Sequence, residues 1–279
     1  MQFNYSVIVP YRDKYDLFVK AVDSIPDRSD IQIIIVDNAP QPLLQSQIPV
    51  TVYANVTYTT SSPTKGAGCA RNVGLQYVKG QYILFLDADD FFTTEAFAAF
   101  DKYLSKNYDI VFFKPTSIKL SNGALSDRHK HFVKVIDTFI NNGEDKRMRY
   151  RWEVPWCKLF RSDFVLNGGF LFDELKVNND AWFSLMTGYN AEKIFADTSV
   201  VYVVTEGEVG QSLVKTITRE NAFIRYEVAI RINKFLKTIG HYDMRIRLLG
   251  AIRIALTKFG IKEFYRYLYV AYRNRVSIF

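Results

Sequence analysis

An α/β fold with a doubly wound, mostly parallel sheet and a C-terminal helical extension is predicted by three features of this sequence. Short β-branched runs alternate with helical segments from the N-terminus to about residue 113. Each run is almost continuously apolar, as strands covered on both faces are. Acidic residues stand where two of these runs end, which is the edge at which open α/β sheets bind ligands.

The first strand is Ser6-Val7-Ile8-Val9-Pro10, ended by proline. A helix follows, with Leu17, Ala21 and Ile25 near one face. Ile31 to Val36 is the second strand and runs into Asp37-Asn38; a weaker third spans Val56 to Thr59. Thr60 to Gly68 is rich in Ser, Thr, Pro and Gly and reads as a loop, and Cys69 to Tyr77 as a helix. Tyr82 to Leu86 is the fourth strand and exits into Asp87-Ala88-Asp89-Asp90. Thr94 is placed to cap the next helix, and Asp109 to Phe113 gives a fifth strand. Residues 115–204 have a mixed pattern; from Ile217 onward the pattern is helical, with breaks at Gly240 and Gly260. The expected organisation is one α/β domain over 1–210, with halves 1–113 and 114–210, followed by a basic helical extension over 211–279.

Composition narrows the class. With 279 residues, 48% of them apolar, the chain can bury a large core. Two cysteines, Cys69 and Cys157, are too few for a disulfide framework or a metal cluster. No run reaches the roughly 18 apolar residues of a membrane span, and no signal sequence is evident, so a reducing cytoplasm is expected. The net charge of +7 is uneven: Gln211 to Phe279 holds 14 Lys+Arg and 4 Asp+Glu. That basic excess suits an anionic surface.

Two carboxylates one residue apart at a strand exit, Asp87 and Asp89, suit a hard divalent cation, Mn2+ or Mg2+, that keeps phosphate oxygens among its ligands. Alone, the pair also reads as a solvated turn. Asp37 is placed to accept hydrogen bonds from a base or ribose, or to start a turn. In Lys65-Gly66-Ala67-Gly68-Cys69-Ala70-Arg71-Asn72-Val73-Gly74, glycines permit close backbone approach and a helix N-terminus attracts anions. His129 and His131 flank Lys130 in what reads as a surface loop; Trp152 and Trp156 suit either sugar stacking or the core; Lys158 reads as packed, with a solvated head.

Taken in order, Ser-Val-Ile-Val-Pro, Ile-Ile-Ile-Val-Asp, Gly-x-x-Ala-Arg-Asn-x-Gly and Gly-x-Tyr-Ile-x-Phe-Leu-Asp-x-Asp-Asp resemble the family 2 glycosyltransferases of GT-A fold. The resemblance is strong from Ser6 to Asp90 and continues weakly through Trp156-Cys157-Lys158-Leu159-Phe160 to Asn179-Asp180. It implies that Asp37 and Arg71 hold the nucleobase, that Asp87 and Asp89 hold the donor with Asp89 on the metal, and that Asp180 is the catalytic base. Pro10, Lys65 and Ala88 complete the implied donor-binding set. Two departures stand out: Asn179 occupies the position of the family's usual Glu, and Asp37-Asn38-Ala39-Pro40 replaces Asp-Asp-Gly-Ser.

The implied activity is inverting transfer of a sugar, UDP being the family's commonest carrier, to a saccharide or lipid-linked saccharide hydroxyl in surface polysaccharide assembly (capsule, O-antigen or exopolysaccharide). A non-catalytic nucleotide-sugar-binding scaffold stays open because of Asn179 and the altered turn. A sugar-nucleotide pyrophosphorylase does not fit, since Pro10-Tyr11-Arg12-Asp13 lacks the Gly-rich loop of that class. In the tail, Tyr265, Leu268, Tyr269 and Tyr272 fall on one helical face among arginines, so peripheral attachment to an anionic inner leaflet competes with packing as a helical lid. No nucleic-acid-binding module accompanies the charge.

Overall fold

The structure, a computed structural model, describes residues 3–48, 55–207 and 217–278. The expected boundary at 210/211 therefore lies outside the described residues. One eight-stranded sheet runs in the order β3-β2-β1-β4-β7-β6-β8-β5. Its strands are β1 Phe3–Tyr11, β2 Ile31–Asp37, β3 Val56–Thr60, β4 Gly80–Phe85, β5 Phe91–Phe92, β6 Ile110–Lys119, β7 Lys158–Arg161 and β8 Ile194–Glu206. β1, β2, β3 and β4 are mutually parallel, as are β6 and β8; β7 is antiparallel to β4 and β6, and β5 to β8. The fold is the expected α/β, GT-A-type sheet with C-terminal helices.

Register sets the binding edge. Tyr11 pairs with Asp37 and Ile8 with Phe85, so the exits of β1, β2 and β4 finish side by side. Every residue of β2 is buried, and all but Gln32 and the terminal Asp37 are apolar. The helices of the first half are α1 Tyr15–Asp23, α2 Gly66–Leu75 and α3 Ala96–Asp101. α2 begins three residues earlier than its pattern predicts, because Gly66 adopts φ +74°, a left-handed entry that a side chain would strain. Thr94 does not cap α3: Glu95 holds that position without a side-chain bond. Thr93 is tied to β8 through its N–H and hydroxyl, which donate to the Val201 and Val200 carbonyls, while its own carbonyl accepts the Ala96 N–H at the start of α3.

The mixed region resolves into α4 Lys130–Asn142, α5 Lys146–Arg151, α6 Ser162–Asn167 and α7 Ala181–Asn190 around β7 and β8. His129 to His131 thus open a helix and do not form a surface loop; His129 Nδ1 lies 2.7 Å from Ser117 Oγ. The C-terminal helices α8 Arg219–Thr238, α9 Leu249–Ile254 and α10 Ile261–Arg273 break at Gly240 and Gly260 as predicted, both at positive φ. Thr218 Oγ1 caps α8 by accepting from Asn221 N. One face of α8 (Val228, Ile232, Leu236) packs on Tyr150, Ala181 and Leu185. Another (Tyr226, Ala229, Ile230) forms a second core with Ile252, Tyr267 and Ala271. α8 is further fixed to the body by Arg231, which stacks over Trp182 at 3.6 Å and bonds Asp173. Among the described residues no helix is long and apolar enough to cross a membrane.

Candidate active site

The Gly-x-x-Ala-Arg-Asn-x-Gly stretch builds the site by packing. A Cβ on Gly68 would stand 2.0 Å from the Asp173 carbonyl oxygen, and one on Gly74 would stand 2.6 Å from Ile8 Cγ2. Those two glycines let α2 lie against β1 on one side and the 172–180 loop on the other. Asn72 clamps that loop with two bonds, Nδ2 to the Phe172 carbonyl at 3.0 Å and Phe172 N to Oδ1 at 2.8 Å. Arg71 is buried at 4% exposure and donates to Asp87 Oδ1 at 2.5 Å and to Asn179 Oδ1 at 3.0 Å. Its charge is kept on, against burial, by Asp87 and Asp180.

Asp87, Ala88 and Asp89 leave β4 into a groove of about 470 Å³. Tyr202 Oη accepts the Asp87 backbone N–H at 3.1 Å, and Trp156 stacks on Tyr202 at 5.3 Å and 9°. Trp156 therefore buttresses the carboxylate turn from the core, and Trp152 is likewise buried against Phe112 and Phe132, so neither ring is presented for sugar stacking. Burial first, then repulsion from Asp87, pushes the Asp89 carboxyl above its ordinary value; Lys14, 3.3 Å away, and Arg128 oppose this. Asp90 is raised further by burial and both neighbours, and it accepts the Thr205 N–H at 2.7 Å. Two carboxylates, 28% and 47% exposed at Asp87 and Asp89, held near each other against their mutual repulsion fit a hard divalent cation. Among the described residues no cluster of three or more His, Cys, Asp or Glu converges, so the chain would supply two carboxylate groups and leave other positions to phosphate and water.

Asp180 faces the same groove. It stands at the start of α7 but its side chain makes no capping bond, so the carboxylate is not consumed by the helix. Burial raises it to about 6, with Asp87 and Glu153 adding and Arg71 opposing. Asn179 is buried and bridges Arg71 to the Leu175 carbonyl, so the residue that departs from the family pattern is an integral part of the scaffold. Lys158 is not a solvated surface lysine. Register with Phe112 places it inside the sheet, 1% exposed, with Nζ 3.1 Å from the Trp152 carbonyl and beside the rings of Phe112 and Phe160. Burial lowers it to about 7, and Asp180 resists that fall.

The residues expected to hold the nucleoside are placed differently in detail. Asp37 is 1% exposed and accepts three internal bonds, from Ala39 N, Leu43 N and Tyr58 Oη, each at 2.8 Å. Asn38 lines the groove; its amide nitrogen is held by Ser61 and Ser62 while Oδ1 has no partner among the described residues. Pro10 and Ala88 line the groove as well. Lys65 is not among the lining residues, and its ammonium pairs with Glu174 at 2.7 Å. Lys14, Arg128, Glu153, Lys176 and Arg225 also line the groove. They come from five separate stretches, and no spacing in the sequence joins them.

The sequence profile described as Glycosyl transferase family 2 matches residues 6–165, more than half of the chain. The chain belongs to that family. The Bacillus subtilis (strain 168) glycosyltransferase EpsJ is 24% identical over 225 residues, covering 72% of this chain and 60% of EpsJ. The Staphylococcus aureus poly(ribitol-phosphate) beta-N-acetylglucosaminyltransferase TarS is 21% identical over 80% of this chain and 39% of TarS. The chain thus spans less than two thirds of the length of either relative. Among solved structures, TarS 1-349 in complex with UDP-GlcNAc superposes with TM-score 0.66 at 21% identity, over 82% of this chain and 65% of that one. The Pyrobaculum calidifontis mannosyltransferase PcManGT in complex with GDP-Man and Mn2+ gives 0.57 at 15% identity, over 98% and 76%. These likenesses place the fold.

Proposed function

We propose that this chain transfers a sugar, with inversion, from a nucleoside-diphosphate sugar to an acceptor hydroxyl. The observation that carries the reading is one groove containing Asp87 and Asp89 at a strand exit together with Asp180 at the start of α7. UDP is the favoured carrier, in keeping with the UDP-sugar bound to TarS. The acceptor is a saccharide or lipid-linked saccharide in surface polysaccharide assembly; the TarS name gives a poly(ribitol-phosphate) N-acetylglucosaminyltransferase, a transferase that likewise modifies a polymer.

Asp87 and Asp89 hold the donor diphosphate end, Arg71 fixes Asp87 in place, and Pro10, Asn38 and Ala88 border the nucleoside. Asp37 acts one step removed, by shaping the 38–43 turn that forms the nucleoside wall. A divalent cation on Asp89, when bound, neutralises charge on the departing diphosphate. Asp180 takes the acceptor proton as the acceptor oxygen attacks the anomeric carbon from the face opposite the leaving group. A carboxyl raised to about 6 is a stronger base than an ordinary one and is still ionised at neutral pH, which supports this role.

The basic tail is read as a contact to an anionic membrane. Tyr265, Tyr269 and Tyr272 are 62%, 61% and 83% exposed on α10, while Leu268 turns toward the second core and is not part of that face. Flotation with anionic vesicles tests this: the triple Tyr→Ser variant should lose binding, and a wild type that stays in the pellet removes the idea. The function itself is tested by a thermal-shift panel of nucleotide sugars with and without Mn2+. Stabilisation by one nucleotide sugar, enlarged by the cation and abolished by chelator, is expected. No shift with any donor in either condition would overturn the reading.

A further inference from the structure

Two cations flank the Asp89 turn, and they are held differently. Lys14 comes from the β1–α1 turn and has its ammonium against Asp89 Oδ2. Arg128 comes from the stretch just before α4 and lines the same groove. Its Nη1 donates to the Thr205 carbonyl at 2.9 Å, a neutral partner that leaves the guanidinium charge in place. Thr205 is also the residue that fixes the carboxylate turn: its N–H reaches Asp90 Oδ1 at 2.7 Å and its Oγ1 donates to the Asp89 carbonyl at 2.6 Å. One residue of β8 thus ties the guanidinium to the Asp89 carbonyl and the Asp90 carboxylate. Arg128 is close enough for its charge to oppose the rise in the Asp89 and Asp90 carboxyls.

Strand order gives the direction of approach. Pro10 on β1 and Asn38, just after β2, lie on one side of β4; Arg128, in the stretch between β6 and α4, is bonded to Thr205 of β8 on the other. The nucleoside wall and Arg128 therefore bracket the Asp87–Asp89 turn from opposite sides. A donor lying across that turn puts its sugar-bearing phosphate toward Arg128.

We infer that Arg128 binds the sugar-bearing phosphate of the donor and receives the charge that develops on it during transfer. The inference rests on the glycosyltransferase reading above. In the step, the acceptor oxygen forms its bond to the anomeric carbon and gives its proton to Asp180. The bond from that carbon to the phosphate oxygen breaks, and its electron pair stays on the phosphate. The leaving nucleoside diphosphate gains one unit of negative charge, and a planar guanidinium can meet two of its oxygens at once. Charge-assisted bonds of this kind are stronger than those between neutral groups.

The test compares a diphosphate with its monophosphate by calorimetry at fixed Mg2+, using UDP and UMP, with GDP and GMP as a second pair. Arg128→Gln should weaken the diphosphate by about tenfold or more and the monophosphate less than about twofold, because UMP lacks the phosphate at issue. Arg128→Lys, which keeps charge but loses the fork, should fall between. Monophosphate binding by the variant doubles as its folding control. Equal diphosphate affinity for wild type and Arg128→Gln overturns the inference while leaving the transferase reading intact, as does an equal loss for both nucleotides. A wild type that binds no nucleotide of either pair removes the transferase reading, and the role of Arg128 with it.

Discussion

Replacing Asp180 by Asn is the perturbation with the most to say about the chemistry. A carboxylate base acts only when ionised, so activity falls as pH drops through its folded value. Burial sets that value at about 6. At pH 5 only about a tenth of Asp180 is then ionised in the free enzyme, and kcat/KM should be about a tenth of its plateau. An ordinary carboxylate near 4 would leave kcat/KM at about nine-tenths of plateau at the same pH. The assay is release of nucleoside diphosphate at subsaturating donor and acceptor from pH 4.5 to 8, which reads the free enzyme. Asp180→Asn should lower the plateau by about 10²–10⁴-fold and remove the acid limb, with donor binding retained. Glu153 lines the groove and its charge raises Asp180, so Glu153→Gln should move the limb to lower pH. An acid limb centred near 4, or an Asp180→Asn enzyme within tenfold of wild type, would refute the assignment.

Gly68→Ala places a methyl 2.0 Å from the Asp173 carbonyl oxygen and 3.0 Å from Asn179 Cβ. Both belong to the loop that carries Asp180, so overpacking of about 1–3 kcal/mol is expected, read as a lower urea midpoint together with reduced turnover. Lys158 returns on unfolding from about 7 to its ordinary value of 10.5. Between those values the unfolded chain binds more protons than the folded one, so Lys158 makes stability rise with pH across that window; below about 7 both states are charged and the burial cost is fully present. Lys158→Met should flatten this slope, and the same difference in urea midpoint between pH 7 and 9.5 in both proteins would show that the lysine is not the cause.

Much of the nucleotide half could be read from the sequence because its signals are local. A strand such as Ile31–Asp37 is buried on both faces and so is written mostly in apolar residues, Gln32 and Asp37 being the exceptions. Asp37, Asp87 and Asp89 stand directly at strand ends, where chain order and spatial order coincide. The region from Pro115 to Val204 was opaque for the opposite reason. β7 is four residues long and runs antiparallel between β4 and β6, and β8 changes register against β6 near Lys114. Such strands are specified by their neighbours and carry little pattern of their own. The two tryptophans and Lys158 were misjudged or left open because burial of a polar or amphipathic side chain depends on partners distant in the chain.

The sequence alone determined the α/β class, the family resemblance, the strand-end carboxylates and the helical breaks at Gly240 and Gly260, since each is encoded within a few neighbouring residues. Tertiary structure decided what those groups do to one another. It tied Asp37 to Tyr58, set Arg71 between Asp87 and Asn179, buried Lys158, and brought Arg128 to the Asp89 turn through Thr205. Charge, burial and hydrogen bonding act through distances in space, and residues 16 to 116 positions apart acquire such distances only when the chain folds.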